Sequence, residues 1–381
     1  MKLILSVEPV RYPLTGIGRY TYELARQLQQ RTEIEELRFF SGQSFRSEIV
    51  APEATPNSSH GIKQLLLKSK LVVEAYRLLN SRRKGNVLKG LGEYLYHGPN
   101  FVLPPVEGAG VATFHDLSPF TWAHCHPPQR VSFMQKEMAN TLERADALIT
   151  VSEFIRHEVA NYFGWPLSRI HAAPLGSSGE FYPRPASEVQ TVLNKHRLNW
   201  QGYSLFVSTI EPRKNIETLL TAYSRLPKAL RDRWPLILTG YEGWQNETIM
   251  ARIAEAERQG WARYLGFLPS EELPLLFAGA RLFTFPSHYE GFGLPVLEAM
   301  SSGIPVVCSN AASLPEVAGD AALMCDATDV DSLTGLLARG LEDEEWRAQA
   351  VIQGLSRATE FSWSRCADET VRVYQKVLSE K

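Results

Sequence analysis

The chain has 381 residues, of which 44% are hydrophobic and 22% charged, a composition typical of a folded globular protein with two or three domains. This composition excludes a disordered, collagen-like or disulfide-scaffold chain. The 40 basic and 42 acidic residues give a net charge of −2, which argues against a dedicated nucleic-acid binder.

Short apolar runs alternate with helical patterns along the chain. The first run, Lys2–Val7, precedes a helical stretch at Arg19–Gln30. This alternation predicts parallel sheets covered by helices on both faces. A Pro-, Gly- and Ser-rich break at Pro174–Ser187 predicts a linker, so we expect an α/β protein with two doubly wound Rossmann-like domains facing an interdomain cleft. Four cysteines without a C-x-x-C pair suit a reducing cytosol.

A glycine loop follows the first predicted strand. Gly16 and Gly18 lie where the next helix begins, so their backbone can approach a ligand closely and present N–H groups to an anion. Thr21 replaces the third glycine of a dinucleotide fingerprint, which argues against that fold. Phosphate contact and an ordinary tight turn both remain open here.

A basic segment covers residues 62–90. It carries eight Lys or Arg residues against one acid, Glu74, and its apolar residues recur at helical spacing. A basic amphipathic helix is typical of proteins that lie on an anionic membrane surface. The alternative is an ordinary surface helix with a basic face.

Two polar residues, His115 and Asp116, follow the predicted buried strand Val111–Phe114. At the carboxyl end of a parallel strand they are well placed to contact a sugar or phosphate. The alternative is that Asp116 caps a helix and His115 is a surface residue.

Two adjacent cations, Arg213 and Lys214, lie in the segment EPRKN between a predicted strand and a predicted helix. The helix dipole disfavours cations at a helix N-terminus, so they have no stabilising role there. A bound anion such as a diphosphate would resolve this conflict. A solvated turn is the alternative.

The most specific segment is EGFGLPVLE, from Glu290 to Glu298. Its glycines expose backbone N–H groups, and Pro295 suits the first turn of a helix. Glu290 lies in the loop and Glu298 in the helix, so the two carboxylates can hold separate hydroxyls of one ligand. A capping carboxylate plus a surface carboxylate is the alternative reading of this spacing.

Together these motifs resemble the retaining glycosyltransferases of family 4, which have the GT-B fold. The resemblance covers nearly the whole chain and rests on the E-x7-E spacing, EPRKN, the glycine loop and TVSEF at 150–154. It is greatest to bacterial mannosyltransferases that build O-antigen polysaccharides. It implies an acceptor and membrane-side domain at residues 1–175 and a donor domain at residues 188–362, with a linker at 176–187 between them. It also implies that a C-terminal helix, residues 363–381, joins the first domain.

The resemblance also implies roles at matching positions. Lys214 corresponds to the lysine that contacts the donor diphosphate, Glu290 to the glutamate at the donor sugar, and Glu298 to the one that holds the ribose. His115 is expected near the transferred sugar. The resemblance implies further donor contacts at the following residues: Gly16, Gly18, Gly266, Phe267, Gly291, Phe292, Gly293 and Leu294. It implies that Asp116, Arg19 and Tyr20 lie on the acceptor side.

The implied reaction moves mannose from GDP-mannose to a lipid-linked oligosaccharide, with no metal or other cofactor. The resemblance places the enzyme on the cytoplasmic face of the inner membrane, where other polysaccharide-assembly enzymes are possible partners. One departure concerns the family's Gly-Arg pair, which is Ser208-Thr209 here, so we expect Arg213 to supply the second cation. A UDP-sugar donor, a sugar-nucleotide epimerase or hydrolase, and a non-catalytic binding subunit are the alternatives.

Overall fold

Two parallel-sheet units make up the structure, a computed structural model that describes the following residues: 1–12, 14, 16–49, 79 and 82–381. The first unit combines Met1–Leu175 with Trp363–Lys381, and the second is Gly176–Ser362. The segment 176–187, predicted as a linker, is therefore part of the second unit. Its Phe181 is buried and packs edge-on against Phe277, with ring centroids 5.5 Å apart, which ties the segment to that unit.

The sheet of the first unit is built from apolar runs whose middle strands are buried on both faces. The strands are β1 (Lys2–Ser6), β2 (Glu36–Phe40), β3 (Phe45–Arg46), β4 (Leu95–Gly98), β5 (Gly110–Phe114), β6 (Ala147–Thr150) and β7 (Ile170–Ala172). Their order is β3-β2-β1-β4-β5-β6-β7, and only the β2–β3 pair is antiparallel. Leu3 of β1 pairs with Leu37 of β2 and Leu95 of β4, so the first strand lies inside the sheet.

Helices of the first unit pack against this sheet. They are α1 (Gly16–Leu28), α2 (Ser118–Thr121), α3 (Pro128–Arg144), α4 (Glu153–Phe163) and the last helix, α14 (Trp363–Ser379); residues 82–88 are also helical. Helix α14 contacts α1 and β6, and its inward face, including Cys366 and Tyr374, is buried. The last helix of the chain therefore completes the first unit.

The sheet of the second unit is wholly parallel. Its strands are β8 (Ser204–Val207), β9 (Leu236–Thr239), β10 (Ala262–Tyr264), β11 (Leu282–Phe285), β12 (Val306–Ser309) and β13 (Ala322–Cys325). The order is β10-β9-β8-β11-β12-β13. The helices are α5 (Ala186–Lys195), α6 (Ile216–Arg225), α7 (Lys228–Arg233), α8 (Glu247–Arg258), α9 (Leu273–Gly279), α10 (Leu294–Ser301), α11 (Leu314–Ala318), α12 (Val330–Glu342) and α13 (Glu344–Ala358).

Both units agree with the predicted α/β class. The strands that the sequence predicts are present to within one residue at each end, whereas helix α1 begins three residues before the predicted Arg19. In the part of the chain that the structure describes, no helix has the length and apolar character needed to cross a bilayer.

The strand order of the second sheet singles out one place for a ligand. From β8 the chain builds β9 and β10 on one side, and then crosses to build β11, β12 and β13 on the other. Ligands of such sheets bind at the carboxyl ends of the strands where the order reverses. That point lies between β8 and β11, so the loops at 208–215 and 286–293 are the candidates.

A buried hydrogen-bond network holds the last helix on the first sheet. The hydroxyl of Thr113 lies 2.9 Å from the Tyr20 hydroxyl and 2.8 Å from Nε2 of His97. Nδ1 of His97 lies 2.6 Å from the hydroxyl of Tyr374 on α14. All four side chains are fully buried, and burial lowers the pKa of His97 to about 3, so the imidazole is neutral.

We predict that Thr113→Val destabilises the first unit, because it leaves the buried polar atoms of Tyr20 and His97 short of a partner. The free energy of unfolding should fall by about 1–3 kcal/mol. Urea denaturation followed by circular dichroism measures it. The matched control is Thr32→Val at an exposed position. An equal unfolding midpoint in both variants would contradict the importance of the network.

Candidate active site

The loop after β8 folds into a single 3-10 turn before helix α6. The turn is Pro212–Lys214, and the helix begins at Ile216, directly after the EPRKN segment, as the sequence predicted. Asn215 separates them with a φ of 58°, a left-handed conformation that asparagine adopts more readily than most residues. Its side-chain amide donates to the carbonyl oxygens of Pro286, at 2.8 Å, and Ala327, at 2.6 Å. This amide therefore ties the loop after β8 to the loop after β11.

Both predicted cations meet the predicted donor-site glutamate. Nζ of Lys214 lies 2.6 Å from Oε1 of Glu290, and Nη1 of Arg213 lies 3.5 Å from Oε2. Arg213 also donates to Oε1 of Glu211, at 2.8 Å, and to the carbonyl oxygen of Tyr289, at 2.5 Å. Lys214, Arg213 and Glu290 are each only 8% exposed. The three residues form a buried charge cluster at the reversal point of the sheet.

The charges of this cluster stabilise one another. Burial alone would raise the pKa of Glu290, but the neighbouring charges of Lys214 and Arg213 hold it below its ordinary value. Burial and then the charge of Arg213 lower the pKa of Lys214, while Glu290 opposes that change. Glu290 is therefore an ionised carboxylate, well suited to accept hydrogen bonds from sugar hydroxyls.

The loop from Glu290 to Gly293 is fixed by the hydroxyl of Ser313. Oγ of Ser313 lies 2.8 Å from the carbonyl oxygens of both Glu290 and Phe292. The side chain of Phe292 is buried against Phe361, so this residue can offer a ligand only its backbone. Gly291 lies in the same loop, between these two anchored carbonyls.

Helix α10 begins at Leu294, directly after this loop, with Pro295 in its first turn as predicted. Gly293 precedes it with a φ of 107°, which only glycine adopts readily. A Cβ at this position would lie 2.6 Å from Cδ2 of Leu314. Glu298 lies in the middle of the helix with a buried side chain, while its role at a ribose stays a prediction.

Two stacked aromatic rings mark the neighbouring strand ends. Phe267, which follows β10, and Tyr241, which follows β9, stack with ring centroids 3.9 Å apart and an interplanar angle of 17°. They remain 42% and 38% exposed, respectively. Gly266 beside them has a φ of 68°, and its carbonyl oxygen accepts from the hydroxyl of Thr239. The Gly266-Phe267 loop therefore presents a flat aromatic surface two strands from the charge cluster.

In the first unit the glycine loop opens a helix, as predicted. Helix α1 starts at Gly16, which is exposed, whereas Gly18 in the first turn is buried. Arg19 is half-buried on the same turn. Tyr20 is fully buried within the Thr113 network, so its predicted place on the acceptor side is corrected: the side chain supports the helix from inside.

His115 and Asp116 differ in what they offer a ligand. Nε2 of His115 lies 2.7 Å from the carbonyl oxygen of Pro99, which can only accept, so Nε2 carries the hydrogen and Nδ1 is an acceptor. Burial lowers the pKa of His115, so its ring is neutral. Oδ1 of Asp116 instead accepts from the backbone N–H and the hydroxyl of Ser118, at 2.9 and 2.7 Å. Asp116 therefore holds the start of α2, the alternative role that the sequence left open.

Comparison with known proteins places this geometry in a family. Residues 193–356, which carry the charge cluster, match the family model "Glycosyl transferases group 1". Over 379 residues the chain is 47% identical to O-antigen chain mannosyltransferase B of Escherichia coli, covering 98% of this chain and all of that protein. The chain belongs to the group 1 glycosyltransferases.

Two further comparisons agree with this assignment. The glycosyltransferase is 32% identical over 276 residues to the serotype-specific mannosyltransferase WbdA of Escherichia coli, although the match spans only 33% of WbdA. In structure it is similar to sucrose-phosphate synthase from Thermosynechococcus elongatus, with a TM-score of 0.73 at 18% identity over the full length of both chains. This similarity confirms the predicted GT-B fold class.

Three site residues of this glycosyltransferase were assigned no role from the sequence. Glu211 and Ser313 position Arg213 and the Glu290 loop, and Tyr241 completes the aromatic surface. Tyr241 directly follows an apolar strand, as the predicted site residues do, so its position in the sequence could have identified it. Ser313 lies in a different loop from its partners, and no local pattern marks it.

We predict that Gly293→Ala destabilises the second unit and lowers activity, because alanine is strained at a φ of 107° and its Cβ meets Leu314. The melting temperature should fall. Gly335→Ala, in helix α12 with open space around the added methyl group, should instead keep or raise it. Differential scanning fluorimetry compares the two variants, and similar melting temperatures would show that the loop tolerates another conformation.

Proposed function

We propose that this glycosyltransferase transfers mannose from GDP-mannose to a polyprenyl-diphosphate-linked glycan in O-antigen synthesis, forming an α-mannoside, with α-1,3 linkage as the specific expectation. The buried Lys214–Glu290 pair at the reversal point of the second sheet carries the proposal, because it joins a cation for a diphosphate to an acceptor for sugar hydroxyls. The choice of mannose rests on the 47% identity to mannosyltransferase B of Escherichia coli.

In the proposed reaction, cations stabilise the leaving diphosphate. Negative charge grows on its oxygens as the bond to the anomeric carbon of mannose breaks. The proposal assigns this charge to Lys214, the partner of Glu290, and Arg213 adds a second positive charge while its hydrogen bonds join the loops after β8 and β11. Fixed charges in a buried site are an effective source of such stabilisation. These cations meet the charge demand of the diphosphate, so the proposal needs no metal.

The proposal gives Glu290 a binding role. Its carboxylate is ionised and held by two cations, which suits it to orient hydroxyls of the mannose. The acceptor hydroxyl attacks on the face that the diphosphate leaves, forming the new bond to the anomeric carbon. An oxygen of the diphosphate takes the proton of that hydroxyl. The anomeric configuration is thereby retained.

The aromatic surface of Tyr241 and Phe267 suits the nucleobase of the donor. Neighbouring strands lie about 4.8 Å apart, so β9 and β10 extend roughly one nucleotide length from the loop after β8. An exposed, flat pair of rings can stack on a base without reading its identity. Glu298, on helix α10, is then assigned to the ribose. Within the first unit, Nδ1 of His115 is assigned to a hydroxyl of the transferred sugar.

The deciding measurement is a turnover assay with GDP-mannose and a synthetic lipid-diphosphate oligosaccharide, in which mass spectrometry and NMR identify the product. A new α-mannoside supports donor, acceptor class and retention together. Transfer from UDP-sugars alone would overturn the mannose assignment, and release of free sugar without an acceptor would indicate a hydrolase.

We predict that Lys214→Ala lowers kcat/KM by at least about tenfold, because it removes the cation that meets the leaving diphosphate. The control is Lys228→Ala, whose side chain is 79% exposed on the same unit, and this variant should keep full activity. Steady-state kinetics measure both variants, and circular dichroism checks that they fold. Near-native turnover by folded Lys214→Ala would contradict the site assignment.

We also propose that the enzyme lies on the cytoplasmic face of the inner membrane through its basic segment, beside other polysaccharide-assembly enzymes. Residues 62–78, 80 and 81 of that segment lie outside the described residues. Arg82 and Arg83 are exposed on the helical stretch 82–88, as a membrane-binding surface requires. Lys84 is buried and pairs with Glu8 at 2.5 Å, so it is removed from the predicted lipid-binding set.

The double variant Arg82→Gln, Arg83→Gln should bind vesicles containing anionic phosphatidylglycerol more weakly. Each basic residue near such a surface contributes about 1 kcal/mol, so affinity should fall roughly thirtyfold. Vesicle sedimentation measures it, with the double variant Arg225→Gln, Lys228→Gln of the second unit as the control. Equal sedimentation of both double variants and the native protein would remove these arginines from the membrane surface.

A further inference from the structure

A cavity that the proposed reaction does not use lies in the first unit at the carboxyl ends of β1 and β2. Its volume is about 200 Å³, below the range of about 300–1,000 Å³ that is usual for drug-sized ligands, so it suits a small charged group rather than a whole sugar nucleotide. The walls combine apolar side chains with four polar ones: Glu8, Arg11, Ser41 and Arg46. The strand order of this sheet reverses between β1 and β4, so the cavity borders the position that favours ligands.

The carboxylate in the wall is neutralised from within the protein. Oε2 of Glu8 lies 2.5 Å from Nζ of Lys84, whose side chain is only 8% exposed. Gly42 makes room for this arrangement, because a Cβ there would lie 2.3 Å from Oε1 of Glu8. The carboxylate is therefore held by a lysine behind it and contributes little net charge to the cavity.

The two arginines are different. Arg11 and Arg46 are both exposed, and within the described ranges neither has a carboxylate partner. With Glu8 already paired to Lys84, their charges give the cavity a net positive lining. A guanidinium offers several N–H donors in a planar fork that matches phosphate oxygens. The chemistry of the lining therefore selects an anion of the phosphate class over a neutral sugar.

Lys84 also connects the cavity to the exposed arginines of the basic segment. It belongs to the same helical stretch, 82–88, as Arg82 and Arg83, so its ion pair with Glu8 joins a residue of the cavity wall to the element that carries the proposed membrane-binding surface. The diphosphate of a lipid-linked glycan lies at the bilayer surface, because its polyprenyl chain is in the membrane. A site for that diphosphate is therefore expected beside a membrane-binding element.

We propose that this cavity binds the diphosphate of the lipid-linked acceptor through Arg11 and Arg46. The inference rests on the proposed function and extends it: the enzyme recognises the charged anchor of its acceptor as well as the sugar that it extends. Specificity for diphosphate-linked acceptors over free oligosaccharides would then reside in residues of the first unit that the donor cluster does not include.

The test compares two acceptors that carry the same oligosaccharide, one on a diphosphate lipid and one on an uncharged alkyl chain. The double variant Arg11→Ala, Arg46→Ala should raise KM for the diphosphate acceptor about tenfold or more, since charge-assisted contacts are lost. It should leave kcat, and the KM for the uncharged acceptor, within about twofold of the native values. Arg11→Lys, Arg46→Lys should restore part of the affinity, because it keeps charge without the fork.

Arg372→Ala, at an exposed arginine of helix α14, is the matched control and should change neither KM. An equal rise in KM for both acceptors would overturn the proposal in favour of a sugar site, and no rise would overturn it outright. The double variant could also bind anionic vesicles without acceptor more weakly than the native enzyme does. If that loss of affinity is as large as the rise in KM, the arginines bind lipid headgroups instead, and the proposal is overturned.

Equilibrium binding of the two acceptors, measured by calorimetry without donor, separates this inference from the proposed reaction. If the native enzyme transfers no mannose but binds the diphosphate acceptor in an arginine-dependent way, the cavity assignment holds and the proposed function fails. If the native enzyme transfers mannose and the arginine changes do not alter acceptor binding, the proposed function holds and the cavity assignment fails.

Discussion

The second unit depends on the buried ion pair between Lys214 and Glu290. Charges at this depth are costly unless each has a partner, and removing either one would leave the other uncompensated. The pair joins loops that are 76 residues apart in sequence, and it can form only because β8 and β11 are neighbours in the sheet. The strand order brings the two loops together, and the two loops bring the opposite charges together, so the fold and the charge balance depend on each other. The proposed chemistry uses the same two charged groups.

Neutral polar groups keep this pair in place. The amide of Asn215 and the hydroxyl of Ser313 bind backbone carbonyls of facing loops, so the charged side chains are carried on a backbone that is itself anchored. Such anchoring matters because electrostatic stabilisation of a leaving group requires charges that are already oriented before the reaction. The first unit follows the same rule, with a neutral histidine network inside its sheet.

Local patterns predicted a large part of the fold and of the donor site. Apolar runs predicted most of the central strands but not β3, β4, β7, β10 or β13, and the Glu290 motif predicted both its loop and helix α10, because these features depend on neighbouring residues. Long-range contacts were beyond such patterns. The buried Tyr20 hydroxyl is hydrogen-bonded to Thr113, which is 93 residues away in sequence. The buried Lys84 is paired with Glu8, which is 76 residues away. In each case the sequence predicted a functional role from the residue type, but no local pattern indicates the distant partner that buries its polar group.

The return of helix α14 to the first unit has a consequence for how the protein is made. A ribosome completes every strand of the first sheet, and then the whole of the second unit, before it reaches residue 374. Until then His97 has no tyrosine to bond, and the surface that α14 covers stays open. The second unit can therefore begin to fold while the first still lacks its last helix, and a chain released without that helix would expose an unfinished first unit to chaperones and proteases.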